Sequence, residues 1–113
     1  MTTKFYAKHN IEVTRGDIQT LSFTYKVSGV AVNITGYTFK MTVRDDTSID
    51  STEIFNVDGV ISDAPNGIFG FSLTATETNQ PPKIYYYDIE INDGTNKITR
   101  LKGGFTISYH LTT

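Results

Sequence analysis

The chain has 113 residues, a formal net charge of -2 and no cysteine. That length suffices for one buried core and not for two. The 7 Lys and 3 Arg are scattered singly, which excludes a basic stripe for nucleic acid, and the missing thiols exclude a disulfide framework and a cysteine nucleophile.

Composition favours strands. The 37 β-branched residues (18 Thr, 12 Ile, 7 Val) outnumber 4 Ala and 4 Leu, and branched side chains suit a pleated surface better than a helix. The first residues, Met1 to Tyr6, lack the apolar core of a signal peptide, and no run approaches the ~20 apolar residues of a membrane helix. The expectation is a soluble chain with no membrane partner and no classical secretion signal. Residues 1–9 read as an N-terminal arm and residues 10–113 as a single β domain.

In chain order, the alternation of apolar and polar residues predicts strands over 10–14, 18–27, 30–34, 37–44, 52–57, 59–63, 67–73, 84–92, 96–101 and 104–111. Four stretches carry the period-two pattern most clearly: Leu21-Phe23-Tyr25-Val27, Tyr37-Phe39-Met41-Val43, Tyr85-Tyr87-Ile89-Ile91 and Phe105-Ile107-Tyr109-Leu111. Glycines punctuate them at Arg15-Gly16-Asp17, Ser28-Gly29, Thr35-Gly36, Asp58-Gly59, Asn66-Gly67, Asp93-Gly94 and Gly103-Gly104, as turns of a sandwich or barrel require. Asp93-Gly94 predicts a hairpin between 84–92 and 96–101, and Asp58-Gly59 predicts a second between Phe55-Asn56-Val57 and Val60-Ile61. Thr74 and Glu77 have capping-box spacing before Pro81-Pro82, so a single helical turn is expected near 74–80. Asp45 to Ser51 reads as a polar loop.

Chemistry-bearing patterns are sparse. Arg15-Gly16-Asp17 matches the cell-attachment tripeptide, but three residues are a weak signal and a turn explains them. His9 and His110 have no ligand-spaced neighbours, so no metal is expected. Asp45, Asp46 and Asp50 could hold calcium only outside the usual loop spacing, and a solvated loop accounts for them. No Gly-x-Ser-x-Gly elbow is present, Gly103-Gly104 leads into a strand where a phosphate cradle needs a helix, and Asp88 and Glu90 read as ordinary outward-facing carboxylates. The expectation is a chain that is not an enzyme and uses no cofactor.

Tyr85-Tyr86-Tyr87 is the exception. Tyr85 and Tyr87 share the face of Ile89 and Ile91, hence the core, with hydroxyls reaching the rim or a backbone carbonyl as in a tyrosine corner. Tyr86 faces the other way beside Ile84, where an aromatic can fill a partner's pocket or stack on a sugar. Phe5 and Tyr6, aromatic residues ahead of the first strand, either pack beneath the domain or dock on a neighbour. Phe5, Tyr6, His9 and Tyr86 are the candidate interface residues.

Taken together, the run Ile11-Glu12-Val13-Thr14-Arg15-Gly16-Asp17, the segments Leu21-Ser22-Phe23 and Gly29 to Tyr37, and the strand Phe39 to Arg44 resemble the amino-terminal immunoglobulin-like domain of phage baseplate upper proteins and related tail or head-fibre modules. Gly67 to Thr74, Tyr85 to Glu90 and Leu101 to Ile107 continue the resemblance, which covers about Ile11 to Leu111. It implies an all-β, immunoglobulin-like antiparallel β-sandwich of about 7–9 strands. It further implies a virion structural protein, made in the host cytoplasm, that acts by protein–protein assembly with other virion proteins as a homo-oligomer. Relative to longer members, the chain stops after the sandwich, which points to an adaptor, baseplate component or decoration subunit over a receptor-binding fibre. The alternative is a carbohydrate or cell-surface binding β-sandwich module recognising a host-surface glycan.

Overall fold

Ten strands and one helical turn make up the computed structural model, which describes residues 10–46, 51–95 and 98–109. The strands are β1 (Ile11–Thr14), β2 (Gln19–Thr24), β3 (Lys26–Val27), β4 (Val30–Ala31), β5 (Thr38–Arg44), β6 (Glu53–Asp58), β7 (Val60–Asp63), β8 (Ile68–Leu73), β9 (Lys83–Asn92) and β10 (Ile98–Ser108), with α1 (Ala75–Thr78) between β8 and β9. One sheet has the order β1-β10-β9-β5-β6, a second β2-β8-β7, and β3-β4 form a small separate ribbon.

The period-two pattern explains the two layers. Phe39, Met41 and Val43 on β5, Tyr85, Tyr87, Ile89 and Ile91 on β9, and Phe105 and Ile107 on β10 all point inward and are buried, as alternation demands. From the second sheet Phe69, Phe71 and Leu73 on β8 face them. The Phe39 and Phe69 rings stack across the gap with centroids 3.9 Å apart and planes 9° from parallel. The chain is therefore an all-β sandwich. The order β10-β9-β5-β6 against β2-β8-β7 is that of the G-F-C-C′ and B-E-D layers of a variable-type immunoglobulin domain.

Tyr85 completes the likeness. Its hydroxyl donates to the Pro81 carbonyl at 2.7 Å, the tyrosine corner expected from the sequence. Two residues on, where antibody domains place their second cysteine, stands the buried ring of Tyr87. An aromatic side chain fills the position that a cross-sheet disulfide would span.

Local signals mostly held. Thr74 N and Oγ1 both donate to Glu77 Oε1 at 2.8 and 2.7 Å, so the capping box starts α1 as predicted. β9 and β10 pair antiparallel around Asp93-Gly94, again as predicted. Three expectations need correction. Asp58-Gly59 does not make a hairpin, because β6 pairs with β5 and β7 pairs with β8 in the opposite sheet. The chain crosses between layers at Gly59, whose N–H donates to the Phe39 carbonyl at 2.7 Å; a Cβ there would sit 2.8 Å from Phe39 Cβ, so the glycine serves close approach and makes no turn. Gly103-Gly104 is likewise no turn. Both residues lie inside β10, paired to Tyr87 and Tyr86, and the two predicted terminal strands are one. Finally, the stretch predicted over 18–27 breaks at Tyr25, whose N–H goes to the Gly67 carbonyl at 2.8 Å. Among the described residues β2 is the outer strand of its sheet, and its Leu21 and Phe23 are partly covered.

Candidate functional site

The outward face of the five-stranded sheet carries a group of interacting side chains. Register fixes its rows: Asn56, Thr42, Asp88 and Lys102 lie abreast on β6, β5, β9 and β10, and Arg44, Tyr86 and Gly104 form the next row. Ile84, Thr106 and Glu12 make a third row toward β1.

Asp88 departs from its predicted character. It is on the outward face, as expected, but only 7% exposed, because Arg44 folds over it and donates from Nε to Oδ2 at 3.0 Å. Arg44 also donates from Nη1 to the Ser51 carbonyl at 3.4 Å, tying the sheet to the loop. A charge-assisted bond of this kind holds two strands in one geometry. Lys102 opposite Asp88 and Lys40 opposite Glu90 add cross-strand pairs of opposite sign, each a small stabilisation.

Tyr86 sits half-buried in the middle of this face, next to Arg44, with Ile84 beside it 58% exposed. The placement agrees with the sequence expectation. On its other flank lies Gly104, where a Cβ would meet Asn10 Oδ1 at 3.1 Å and no atom of Tyr86 within 4 Å. At the end of β9, the Lys83 ammonium pairs with Asp45 and lies 4.9 Å above the Tyr85 ring. The Asp45 hydrogen bond pushes the Lys83 pKa above its ordinary value. Burial pushes up both inward tyrosines, Tyr85 modestly and Tyr87 to about 12.

The other sequence candidates resolve as follows. Arg15-Gly16-Asp17 is a turn: Gly16 has φ +82°, Asp17 N–H donates to the Thr14 carbonyl at 3.1 Å, and Thr78 Oγ1 donates to the Asp17 carbonyl at 2.7 Å. Arg15 Nε is engaged with Asn79 Oδ1 at 3.1 Å, so the tripeptide is fastened to α1. Phe5, Tyr6, His9, His110 and Asp50 lie outside the described residues. Among the described residues, no three His, Cys, Asp or Glu side chains are grouped to hold a metal, and no helix is long and apolar enough to cross a membrane.

Sequence reasoning missed the Arg44–Asp88 pair and the placement of Gly104 beside Tyr86. Neither has a signal in residue spacing, since both arise from strands 44 and 18 residues apart in the chain meeting side by side. The face presents an aromatic ring, an exposed aliphatic side chain and paired charges on one sheet.

Comparison with known proteins adds the following. The family model described as BppU N-terminal domain matches residues 1–107. Among curated proteins none matches. Among solved structures, the chain is similar to the extracellular domain of the voltage-gated sodium channel beta4 subunit, reported as parallel homodimers that explain its role in cell–cell adhesion. The likeness covers 98% of this chain and 99% of that one, with a TM-score of 0.48 and 8% identity.

Proposed function

The chain belongs to the BppU N-terminal domain family, the amino-terminal domains of phage baseplate upper proteins, and from that premise we propose that it acts by protein–protein assembly in the virion, as an adaptor or decoration subunit that self-associates. The family makes it a phage baseplate structural component that interacts with other virion proteins. The match over residues 1–107 carries the reading, and the outward face supports it. A partly covered Tyr86 beside an exposed Ile84 supplies an anchor of the kind protein interfaces bury at their centre, and the paired charges around it supply a polar rim. Tyr86 is the contact on the sheet; Phe5, Tyr6 and His9 of segment 1–9 are the further contacts. The role is non-enzymatic.

Size-exclusion light scattering of the full chain over a wide concentration range is the test. The expected result is a concentration-dependent mass rising to a symmetric multiple of the monomer, with Tyr86→Ala weakening association by about tenfold or more. A chain that stays monomeric while binding on a glycan array would replace assembly with carbohydrate recognition through Tyr86.

A further inference from the structure

Charge is laid out in columns on the outward face of the five-stranded sheet. Phe39, Met41 and Val43 of β5 and Tyr87, Ile89 and Ile91 of β9 are buried in the core, so the even-numbered residues beside them point outward. On β5 these include Lys40 and Arg44, both basic; on β9 they include Asp88 and Glu90, both acidic. The flanking strands continue the alternation. β6 brings Glu53 and Asp58, in register with Arg44 and Lys40, and β10 brings Lys102, in register with Asp88. From β6 to β10 the columns run acidic, basic, acidic, basic, one every ~4.8 Å.

Such a pattern selects among the ways in which one copy can lie on another. In an isologous pair the same patch faces itself through a two-fold axis, and for two aligned sheets face to face that axis runs either across the strands or along them. An axis across the strands sets each column against its own copy, basic on basic and acidic on acidic, which is costly. An axis that follows a strand does the same for that strand's column. An axis along the strands but midway between β5 and β9 sets β5 against the partner's β9 and β6 against the partner's β10.

The rows then match as well as the columns. Lys40 comes opposite the partner's Glu90, Thr42 opposite the partner's Asp88, and Asn56 opposite the partner's Lys102. In the next row Arg44 comes opposite the partner's Tyr86, and Glu53 opposite the partner's Gly104. Each charged side chain thus meets an opposite charge, a neutral polar group, an aromatic ring or a glycine. This axis overlaps the four strands β6, β5, β9 and β10, and it lays a cation on each Tyr86 ring. Hydrogen bonds from a guanidinium lie in its plane, so Asp88 and Ser51 hold Arg44 in place without using the face on which a ring stacks.

We propose that a second copy of this chain packs on this face about a two-fold axis running along the strands between β5 and β9. The two sheets lie about 10 Å apart with their strands pointing the same way to within about 30°, and the long side chains of Lys40 and Glu90 bridge that gap twice, once on each side of the axis. The proposal rests on the assembly reading and gives it a partner and a geometry.

Charge reversal in the full chain, read by light scattering, tests the geometry. Lys40→Glu sets acid against the partner's Glu90, and Glu90→Lys sets base against the partner's Lys40; each variant alone is expected to self-associate about tenfold more weakly or worse. Mixed in equal amounts, the two variants complement each other. One chain is acidic at positions 40 and 90 and the other is basic at both, so the mixture is expected to regain the association of the unaltered chain. The cross-strand pair of Lys40 with Glu90 within one chain stays broken in both variants, so a purely internal role for these residues gives no recovery on mixing. A mixture that associates no better than its components overturns the proposal, and the assembly reading survives if the unaltered chain still self-associates. An unaltered chain that stays monomeric removes both. Salt gives a readout that needs no variant: raising it from about 0.05 to about 0.5 M is expected to weaken self-association of the unaltered chain by about tenfold or more. Association that is indifferent to salt overturns the charge-matched axis.

Discussion

Tyr87 shows how one residue couples burial to pH. Its hydroxyl is pushed up to about 12 by burial, against about 10 in an unfolded chain. Below pH 10 both states keep the proton; between about 10 and 12 the unfolded state releases it and the folded state does not. Stability is therefore intact below pH 10 and falls as pH rises through about 12. Urea denaturation at pH 9 and at pH 11 is expected to show a lower midpoint at the higher pH, and Tyr87→Phe is expected to flatten the part of this slope that Tyr87 carries. The role of the residue was legible in the sequence because parity with Ile89 and Ile91 already placed it inside. Asp88, its neighbour, was not. A single carboxylate on an outward position looks solvated until the strand that delivers Arg44 is known.

At the level of elements, Arg44 and Asp88 couple β5 to β9 on the outward face. Arg44→Met keeps much of the side-chain volume but removes the guanidinium from a carboxylate that is 7% exposed. The expected cost is about 1–3 kcal/mol, read as a lower thermal midpoint with an unchanged circular dichroism spectrum at 25 °C. Which elements could be read from sequence follows from how local their signals are. The β9–β10 hairpin and α1 depend on residues within one turn of each other, Asp93-Gly94 in one case and Thr74 with Glu77 in the other. β6 and β7 do not. Asp58-Gly59 carries the composition of a turn, and only the packing of Gly59 against Phe39 reveals a strand passing from one layer to the next. Gly103-Gly104 misled for the opposite reason, since glycine in a strand interior lowers strand propensity while β9 pairs with it on one side regardless.

For the molecule as a whole, alternation told which side chains face inward but not which strands are neighbours. The parallel pairing of β1 with β10 joins residues 94 apart, and nothing in either segment announces the other. The candidate face was legible at Tyr86 and Ile84 and illegible at Arg44, Asp88 and Gly104, for the same reason. Long-range closure also has a kinetic side. Joining the first strand to the last requires the loop entropy of nearly the whole chain, so β1 is expected to dock after the rate-limiting step. Val13→Ala, at a position 2% exposed, is expected to cost about 2 kcal/mol and to appear mainly as faster unfolding, with refolding little changed, in stopped-flow chevron measurements. The direction of β1 matters for a second reason. Because it runs the same way as β10, tension applied at Ile11 and at Ser108 pulls the two strands past each other lengthwise. The rungs from Phe105 to Ser108 then share the load together, where an antiparallel pair pulled from its open end would give way like a zip. Four paired residues thereby give the sheet a lengthwise clamp between Ile11 and Ser108.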